Sequence, residues 1–224
     1  AFGLDPKHKL PPFARDTFSM AVLADAFPIA AAKTGMLSNA EIVHAVAEAV
    51  RRNKIEKLVV DPVMVAKSGD SLLQDSARDA LVNEMLALAY VLTPNVPEAE
   101  SLTGLRVTDM KGMQEAARAL HAKGPRYVVI KGGHLSGAEA VDLFFDGTSF
   151  ETFSSARIDT KNTHGTGCTF SAAIAALLAK GFDVLASVEG AKAYLTKAIR
   201  HALPLGKGHG PLMHHWMAHE DARE

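Results

Sequence analysis

The densest group of residues that could do chemistry runs from Asn162 to Ser171, in the order Asn-Thr-His-Gly-Thr-Gly-Cys-Thr-Phe-Ser. Gly165 and Gly167 permit backbone conformations closed to other residues and leave room for a ligand against the main chain. An Ala-rich apolar segment typical of a helix follows at once. Because successive amides at the start of a helix form a pocket for negative charge, the segment predicts an anion site.

The single cysteine of the chain, Cys168, falls in the first turn of that helix. The positive end of a helix favours the anionic thiolate, which could act as a base or a nucleophile. The alternative is a glycine turn that caps a helix, with Cys168 as a small buried apolar residue. The density of Gly, Thr, His and Cys favours function. A P-loop is excluded, and Phe170 replaces the third glycine of a dinucleotide-binding fingerprint.

Four more polar residues follow short apolar runs that are typical of buried strands. Asp61, Asn95 and Glu98 carry oxygen atoms that could hold Mg²⁺, the aspartate through water. Lys131 could pair with a phosphate. Taken singly, these residues also fit an Asp-Pro turn, a capped short helix and a solvated lysine before a Gly-Gly turn. All four are predicted at the same edge of the sheet, which is where open α/β sheets bind ligands, and this favours a shared site.

Strand and helix patterns alternate at short intervals along the chain. This alternation predicts an α/β fold with a mostly parallel sheet and helices on both faces. A capping box, Ser38 with Glu41, is predicted to begin the first regular helix, and residues 13–26 form a less regular helical pattern. The other predicted helices cover 76–88, 97–102, 110–122, 169–178 and 184–203, and the predicted strands cover 57–63, 90–93, 127–130, 141–145 and 149–153.

The composition is that of a globular enzyme-sized domain. The chain has 224 residues, 48% hydrophobic and 22% charged, with 24 basic and 25 acidic side chains and a formal net charge of -1. We expect a single domain over residues 1–224, and the charge balance excludes steering toward nucleic acid or an anionic membrane. No apolar run approaches the roughly 20 residues that span a bilayer, and the start carries no signal-peptide pattern. The lone cysteine suits a reducing cytoplasm.

Six segments of the chain carry a resemblance to a known family, and their order and spacing are specific. They cover residues 33–37, 61–70, 92–99, 131–134, 161–168 and 208–211. The chain resembles the hydroxymethylpyrimidine/phosphomethylpyrimidine kinases of thiamine biosynthesis, which belong to the ribokinase-like superfamily. Cys168 is part of the likeness, since most of the superfamily has Asp after Gly-Thr-Gly. The resemblance implies a three-layer sandwich whose mostly parallel sheet ends in an antiparallel hairpin.

The resemblance also implies the reaction. ATP would phosphorylate 4-amino-5-hydroxymethyl-2-methylpyrimidine and then its monophosphate at one site. Gly165, Thr166 and Gly167 would form the anion hole for the transferred phosphoryl group, and Cys168 would take the proton of the substrate hydroxymethyl group. Such transfers depend mostly on positioning and charge stabilisation, which these groups can provide.

The remaining roles concern the metal and the nucleotide. The resemblance implies that Asp61 and Glu98 position Mg²⁺ through water, with Asn95 nearby. Lys131 would contact the ATP phosphates, and Thr163 would belong to the same ATP site. We expect a homo-oligomer, in the form of a dimer, whose partners are ATP and a small pyrimidine alcohol.

The pyrimidine pocket is the part of the resemblance with the largest departure. Met36 and Val63 would line it, but the family also opens with two βα units and a polar residue, usually Gln, that reads the pyrimidine. No counterpart precedes Lys33, so we expect those units to be missing unless residues 1–12 are a remnant. Two alternatives stay open: a pyridoxal kinase with a similar cysteine loop, and a ligand-binding module without catalysis.

Overall fold

The computed structural model describes residues 28–64, 75–135, 137–205 and 208–217, and these form a six-stranded sheet with helices. The strands lie side by side in chain order. The first four are parallel, and the last two form an antiparallel hairpin at one edge. The strands are β1 (Ala32–Thr34), β2 (Leu58–Val60), β3 (Val91–Leu92), β4 (Tyr127–Ile130), β5 (Glu139–Phe145) and β6 (Phe150–Ala156).

Six α-helices connect or flank these strands in the described part of the chain. They are α1 (Ala40–Arg52), α2 (Asp75–Ala80), α3 (Val96–Thr103), α4 (Met110–His121), α5 (Thr166–Ala179) and α6 (Val184–Arg200). The sequence predicts one regular helix over 76–88. The structure instead continues α2 through a π-helical turn, Leu81–Met85, and a 3₁₀ turn, Leu86–Leu88.

The start of α1 corrects one prediction. The expected capping box of Ser38 and Glu41 does not begin this helix. Asn39 is the N-cap, and its Oδ1 accepts a hydrogen bond from the amide of Ile42 at 2.9 Å. Asn satisfies a first-turn amide in the same manner as Ser, so the neighbouring residue took the role.

Alternating side chains bury both faces of the sheet. Leu58 and Val60 pack into a core with α1 to α4, whereas Val59 between them packs into a second core with α5 and α6. Successive side chains of a strand point to opposite faces, so one strand serves both cores. The result is the predicted three-layer sandwich with a mostly parallel sheet.

Parallel pairing brings the carboxyl ends of the central strands together. The amide of Asp61, after β2, donates to the carbonyl of Thr34, and the amide of Lys131, after β4, donates to that of Pro94 at 2.8 Å. The residues that follow β2, β3 and β4 therefore share one edge of the sheet. Among the described residues, no helix is long and apolar enough to cross a membrane. The predicted helix at 13–26 and the segment 1–12 lie outside these residues.

Candidate active site

A cavity of about 1040 Å³ opens at this edge of the sheet and reaches the start of α5. Most of the predicted site residues line it. They are Asp61, Val63, Asn95, Glu98, Lys131, Thr163, Gly165, Thr166, Gly167 and Cys168. Met36 is the exception, since its side chain is 53% exposed and does not line the cavity. The structure thus brings together residues that lie up to about a hundred positions apart in the chain.

The N-terminus of α5 has a backbone geometry that suits the anion site the glycines predict. Gly165 is the N-cap, and its φ of 82° lies in the left-handed region that favours glycine. A glycine offers no side-chain acceptor, so the N-cap does not satisfy the first-turn amides of Thr166, Gly167 and Cys168. These amides and the positive end of the helix favour a bound anion. The Cys168 side chain is exposed rather than buried in the core.

Lys131 stands between the two predicted carboxylates and the start of α5. Its Nζ lies 2.8 Å from Oδ1 of Asp61 and 3.9 Å from Oε2 of Glu98. A Cβ atom added to Gly167 would lie 3.1 Å from the same Nζ. The absence of a side chain at Gly167 therefore allows the ammonium group to stand directly beside the first turn of the helix.

Asp61 is held by residues of two other elements as well. Its side chain is almost fully buried, 1% exposed. The hydroxyl of Thr93 lies 3.4 Å from Oδ1, and that of Ser171 lies 3.3 Å from Oδ2. Sequence reasoning did not single out either hydroxyl, although Ser171 closes the motif that begins at Asn162. Through Ser171, the end of β2 is tied to α5.

Asn95 and Glu98 form a reciprocal capping box at the start of α3. The Glu98 amide donates to Oδ1 of Asn95 at 2.9 Å, and the Asn95 amide donates to Oε2 of Glu98 at 2.7 Å. The sequence leaves two alternatives for Asn95 and Glu98, a cap of a short helix or a site that faces the cavity. The structure has both. Burial raises the pKa of Glu98 to about 7, opposed by Lys131 and the Asn95 amide and reinforced by Asp61.

The donor set fits Mg²⁺ held through water. When both are ionised, Asp61 and Glu98 carry one more negative charge than Lys131 offsets. In the described part of the chain, no three His, Cys, Asp or Glu side chains could enclose a metal ion. Mg²⁺ does not need such a cage, because it keeps several waters and binds one or two carboxylates plus substrate phosphates.

A second buried ion pair lines the same cavity and was missed from the sequence. Nζ of Lys192, on α6, lies 2.8 Å from Oδ2 of Asp142 on β5 and donates to the carbonyl of Ala140 at 2.9 Å. A signal was present, because each is a charged residue within an otherwise apolar pattern. Asp142 interrupts the run of β5, and Lys192 lies next to buried Ala191.

The loop after β4 is also held by Arg157, which follows β6 and lines the cavity. Its guanidinium group donates to the carbonyls of Gly133 at 2.8 Å, Leu135 at 2.6 Å and Gly137 at 3.0 Å. A planar group with several fixed donors suits this arrangement. The backbone that follows Lys131 is therefore tied to the hairpin.

The three-layer sandwich and this cavity together define the class: a ribokinase-like kinase that transfers phosphoryl groups. Residues 8–213 match the family model described as phosphomethylpyrimidine kinase. The chain belongs to that family, so the predicted family membership and the predicted kinase class are confirmed.

Proteins that are similar in sequence carry the name of this family or a related name. The chain is 48% identical over 195 residues to a hydroxymethylpyrimidine/phosphomethylpyrimidine kinase from Haemophilus influenzae, covering 85% of the chain and 72% of that protein. It is also 48% identical over 223 residues to the thiamine biosynthesis bifunctional protein ThiED from Geobacter sulfurreducens. That match covers 99% of the chain, but the chain spans only 45% of the Geobacter protein.

Similar solved structures include a pyridoxal kinase and a phosphomethylpyrimidine kinase. An ADP complex of pyridoxal kinase from Bacillus subtilis superposes with a TM-score of 0.83 at 38% identity, covering 90% of this chain and 75% of that one. A phosphomethylpyrimidine kinase from Clostridium difficile gives a TM-score of 0.74 at 35% identity, covering 84% and 77%. The predicted ribokinase-like fold is confirmed.

Proposed function

We propose that this chain transfers the γ-phosphoryl group of ATP to 4-amino-5-hydroxymethyl-2-methylpyrimidine and then to the resulting monophosphate. The observation that carries the proposal is the close approach of the Lys131 ammonium group to the first turn of α5, with Cys168 in the same cavity. The name of the Haemophilus influenzae relative, at 48% identity, supports this pyrimidine as the acceptor.

In the first transfer, the substrate oxygen bonds to the γ-phosphorus as the bond from that phosphorus to the bridging oxygen of ADP breaks. Cys168 accepts the hydroxyl proton on Sγ. The amides of Thr166, Gly167 and Cys168, together with Lys131, stabilise the charge on the transferred group. In the second transfer the attacking group is a phosphate oxygen, which is largely deprotonated at neutral pH, so it does not need the base.

The acidic side of the cavity serves the metal and the nucleotide. Asp61 and Glu98 would hold Mg²⁺ through water, with Asn95 fixing Glu98 through the capping box. The ion would neutralise charge on the ATP phosphates. Lys131 and Thr163 contact ATP, and both line the cavity.

The pyrimidine occupies the side of the cavity that Val63 lines. Met36 stays a prediction for this pocket, because it is exposed and is not among the residues that line the described cavity. The proposal includes one ribokinase-like domain, a cytoplasmic location and a homodimer. The reduced state that Cys168 needs supports the location.

Pyridoxal is the second candidate acceptor, because the Bacillus subtilis pyridoxal kinase has the higher of the two TM-scores, 0.83 against 0.74. A side-by-side turnover assay with ATP separates the two. We expect kcat/KM for the pyrimidine alcohol to exceed that for pyridoxal by at least about tenfold, within the usual range for differences of pocket shape. Faster pyridoxal turnover would overturn the acceptor, and ligand binding without ADP release would overturn the kinase proposal.

A further inference from the structure

Asp142 is a buried charge in the middle of β5, and stability alone gives little reason for it. Its residue is 5% exposed, and its neighbour Leu143 is fully buried. Burying an ion pair costs several kcal/mol in desolvation, and replacing such a pair by apolar side chains is often neutral or stabilising. The contacts of the carboxylate therefore point to a role outside folding stability.

One oxygen of Asp142 holds the residue that follows Lys131. Oδ1 accepts a hydrogen bond from the amide of Gly132 at 3.0 Å. The register of β4 and β5 pairs Ile130 with Leu143, so Asp142 is the next residue of β5 toward this loop. A Cβ atom at Gly132 would lie 1.8 Å from the carbonyl oxygen of Val141. The backbone beyond Lys131 thus lies directly against β5.

The other oxygen of Asp142 is fixed from α6. Lys192 Nζ lies 2.8 Å from Oδ2 and donates to the Ala140 carbonyl at 2.9 Å. Each carboxylate oxygen has its own partner, so the group cannot rotate without breaking a charge-assisted hydrogen bond. A continuous set of contacts then runs from Lys192 through Asp142 to Gly132.

We propose that Asp142, oriented by Lys192, is a positioning residue that sets the Lys131 ammonium group between Asp61 and the first turn of α5. This inference rests on the proposed function, in which Lys131 contacts the ATP phosphates. Misplacing such a group by a fraction of an ångström to an ångström costs rate rather than stability. The pair therefore acts on catalysis through Lys131, without itself touching the transferred phosphoryl group.

A double-mutant cycle tests this dependence. We expect Asp142→Ala to lower kcat/KM by about ten- to a hundredfold, and to have little further effect when Lys131 is already alanine. Equal losses in both backgrounds would overturn the proposal. Asp142→Asn keeps an acceptor for the Gly132 amide, so it should recover part of the loss, and it replaces the alanine variant in the cycle if that variant does not fold.

A readout without turnover separates this inference from the proposed function. Nitrogen-15 NMR of the Lys131 ammonium and hydrogen exchange at the Gly132 amide both report on the positioning. In Asp142→Ala we expect a shifted Lys131 resonance and faster exchange at Gly132, with smaller changes in Asp142→Asn, which keeps an acceptor for that amide; unchanged values in both variants would contradict the inference. Asp146→Ala, in the turn of the same hairpin, is the control and should leave both unchanged. A wild-type chain without phosphoryl transfer would contradict the proposed function alone.

Discussion

The lysine after β4 lies close to the first turn of α5: a methyl group on Gly167 would lie 3.1 Å from Nζ of Lys131. Backbone amides and a cation therefore converge at one place in the cavity. Both favour negative charge, and neither has to be reorganised when charge develops during phosphoryl transfer. A side chain at this position would push the ammonium group away from the helix, so glycine favours the close approach.

Gly167→Ala should impair catalysis without unfolding the protein. The new methyl group would displace the Lys131 ammonium or a bound phosphate, and we expect kcat/KM to fall by about ten- to a hundredfold. Alanine is favoured over glycine in a helix by roughly 1 kcal/mol, so stability should not fall. Steady-state kinetics and urea unfolding measure the two effects separately.

Gly190→Ala is the matched control, since it also adds a methyl group to a helix. Among the residues that the structure describes, that methyl group would meet the side chain of Leu177, on the contact between α5 and α6. Its kinetics should remain those of the wild type. Gly167→Ala kinetics equal to those of Gly190→Ala would remove the close approach from the mechanism.

Cys168→Ala should lower kcat steeply and change the affinity for ATP little. A general base contributes roughly 10²- to 10⁴-fold, so a loss in that range is expected for transfer to the hydroxymethyl group. Transfer to the monophosphate should suffer less, because its attacking oxygen is largely deprotonated already. Wild-type turnover of the alcohol in this variant would exclude Cys168 as the base.

Glu98→Gln should remove a pH dependence of stability. The fold raises the pKa of Glu98 from 4.5 to about 7, so between these values the folded state binds more protons than the unfolded state. The contribution of Glu98 to stability is therefore fully present below about pH 4.5 and is lost as pH rises through 7, by up to about 3 kcal/mol. Glu98→Gln should lose less between pH 5 and pH 8 in metal-free urea unfolding.

The same variant tests the metal. Removing one carboxylate should raise the Mg²⁺ concentration needed for half-maximal turnover. An unchanged Mg²⁺ titration would exclude Glu98 from holding the ion. Equal slopes of stability against pH for the variant and the wild type would argue against the raised pKa.

Arg157→Lys should lower kcat/KM while keeping the charge. A single ammonium group cannot reach the carbonyls of Gly133, Leu135 and Gly137 together, so the loop after Lys131 loses its bracing. Because the arginine is exposed, we expect a small change in unfolding free energy, within about 1 kcal/mol. Kinetics identical to the wild type would mean that the Arg157 contacts do not position this loop for catalysis.

Local patterns predicted the fold well where neighbouring residues determine the structure. The helix at 110–122 and the strand at 127–130 agree with α4 and β4 to within a residue. The π-helical turn Leu81–Met85 carries no signal in an apolar helical pattern. The N-cap of α1 fell on Asn39 because two adjacent residues, Ser38 and Asn39, both suit a cap.

In the candidate site too, the sequence predicted what neighbouring residues determine and missed what only the packing of distant segments determines. Gly165, Gly167 and Cys168 lie in one segment, so their joint role could be predicted from spacing. The partnership of Asp142 and Lys192 could not, because 50 positions separate them and only the packing of α6 on the sheet brings them together. Met36 shows a different limit, since its place in a segment that matches the family did not bring it into the described cavity.

Phosphorus NMR of the reaction mixture tests the central claim most directly. The full chain is incubated with ATP, Mg²⁺ and 4-amino-5-hydroxymethyl-2-methylpyrimidine, and the products are followed over time. The account predicts a phosphomonoester signal that gives way to a diphosphate ester, with one ADP formed for each phosphoryl group transferred. ATP that remains intact, or that gives only ADP and inorganic phosphate, would contradict it.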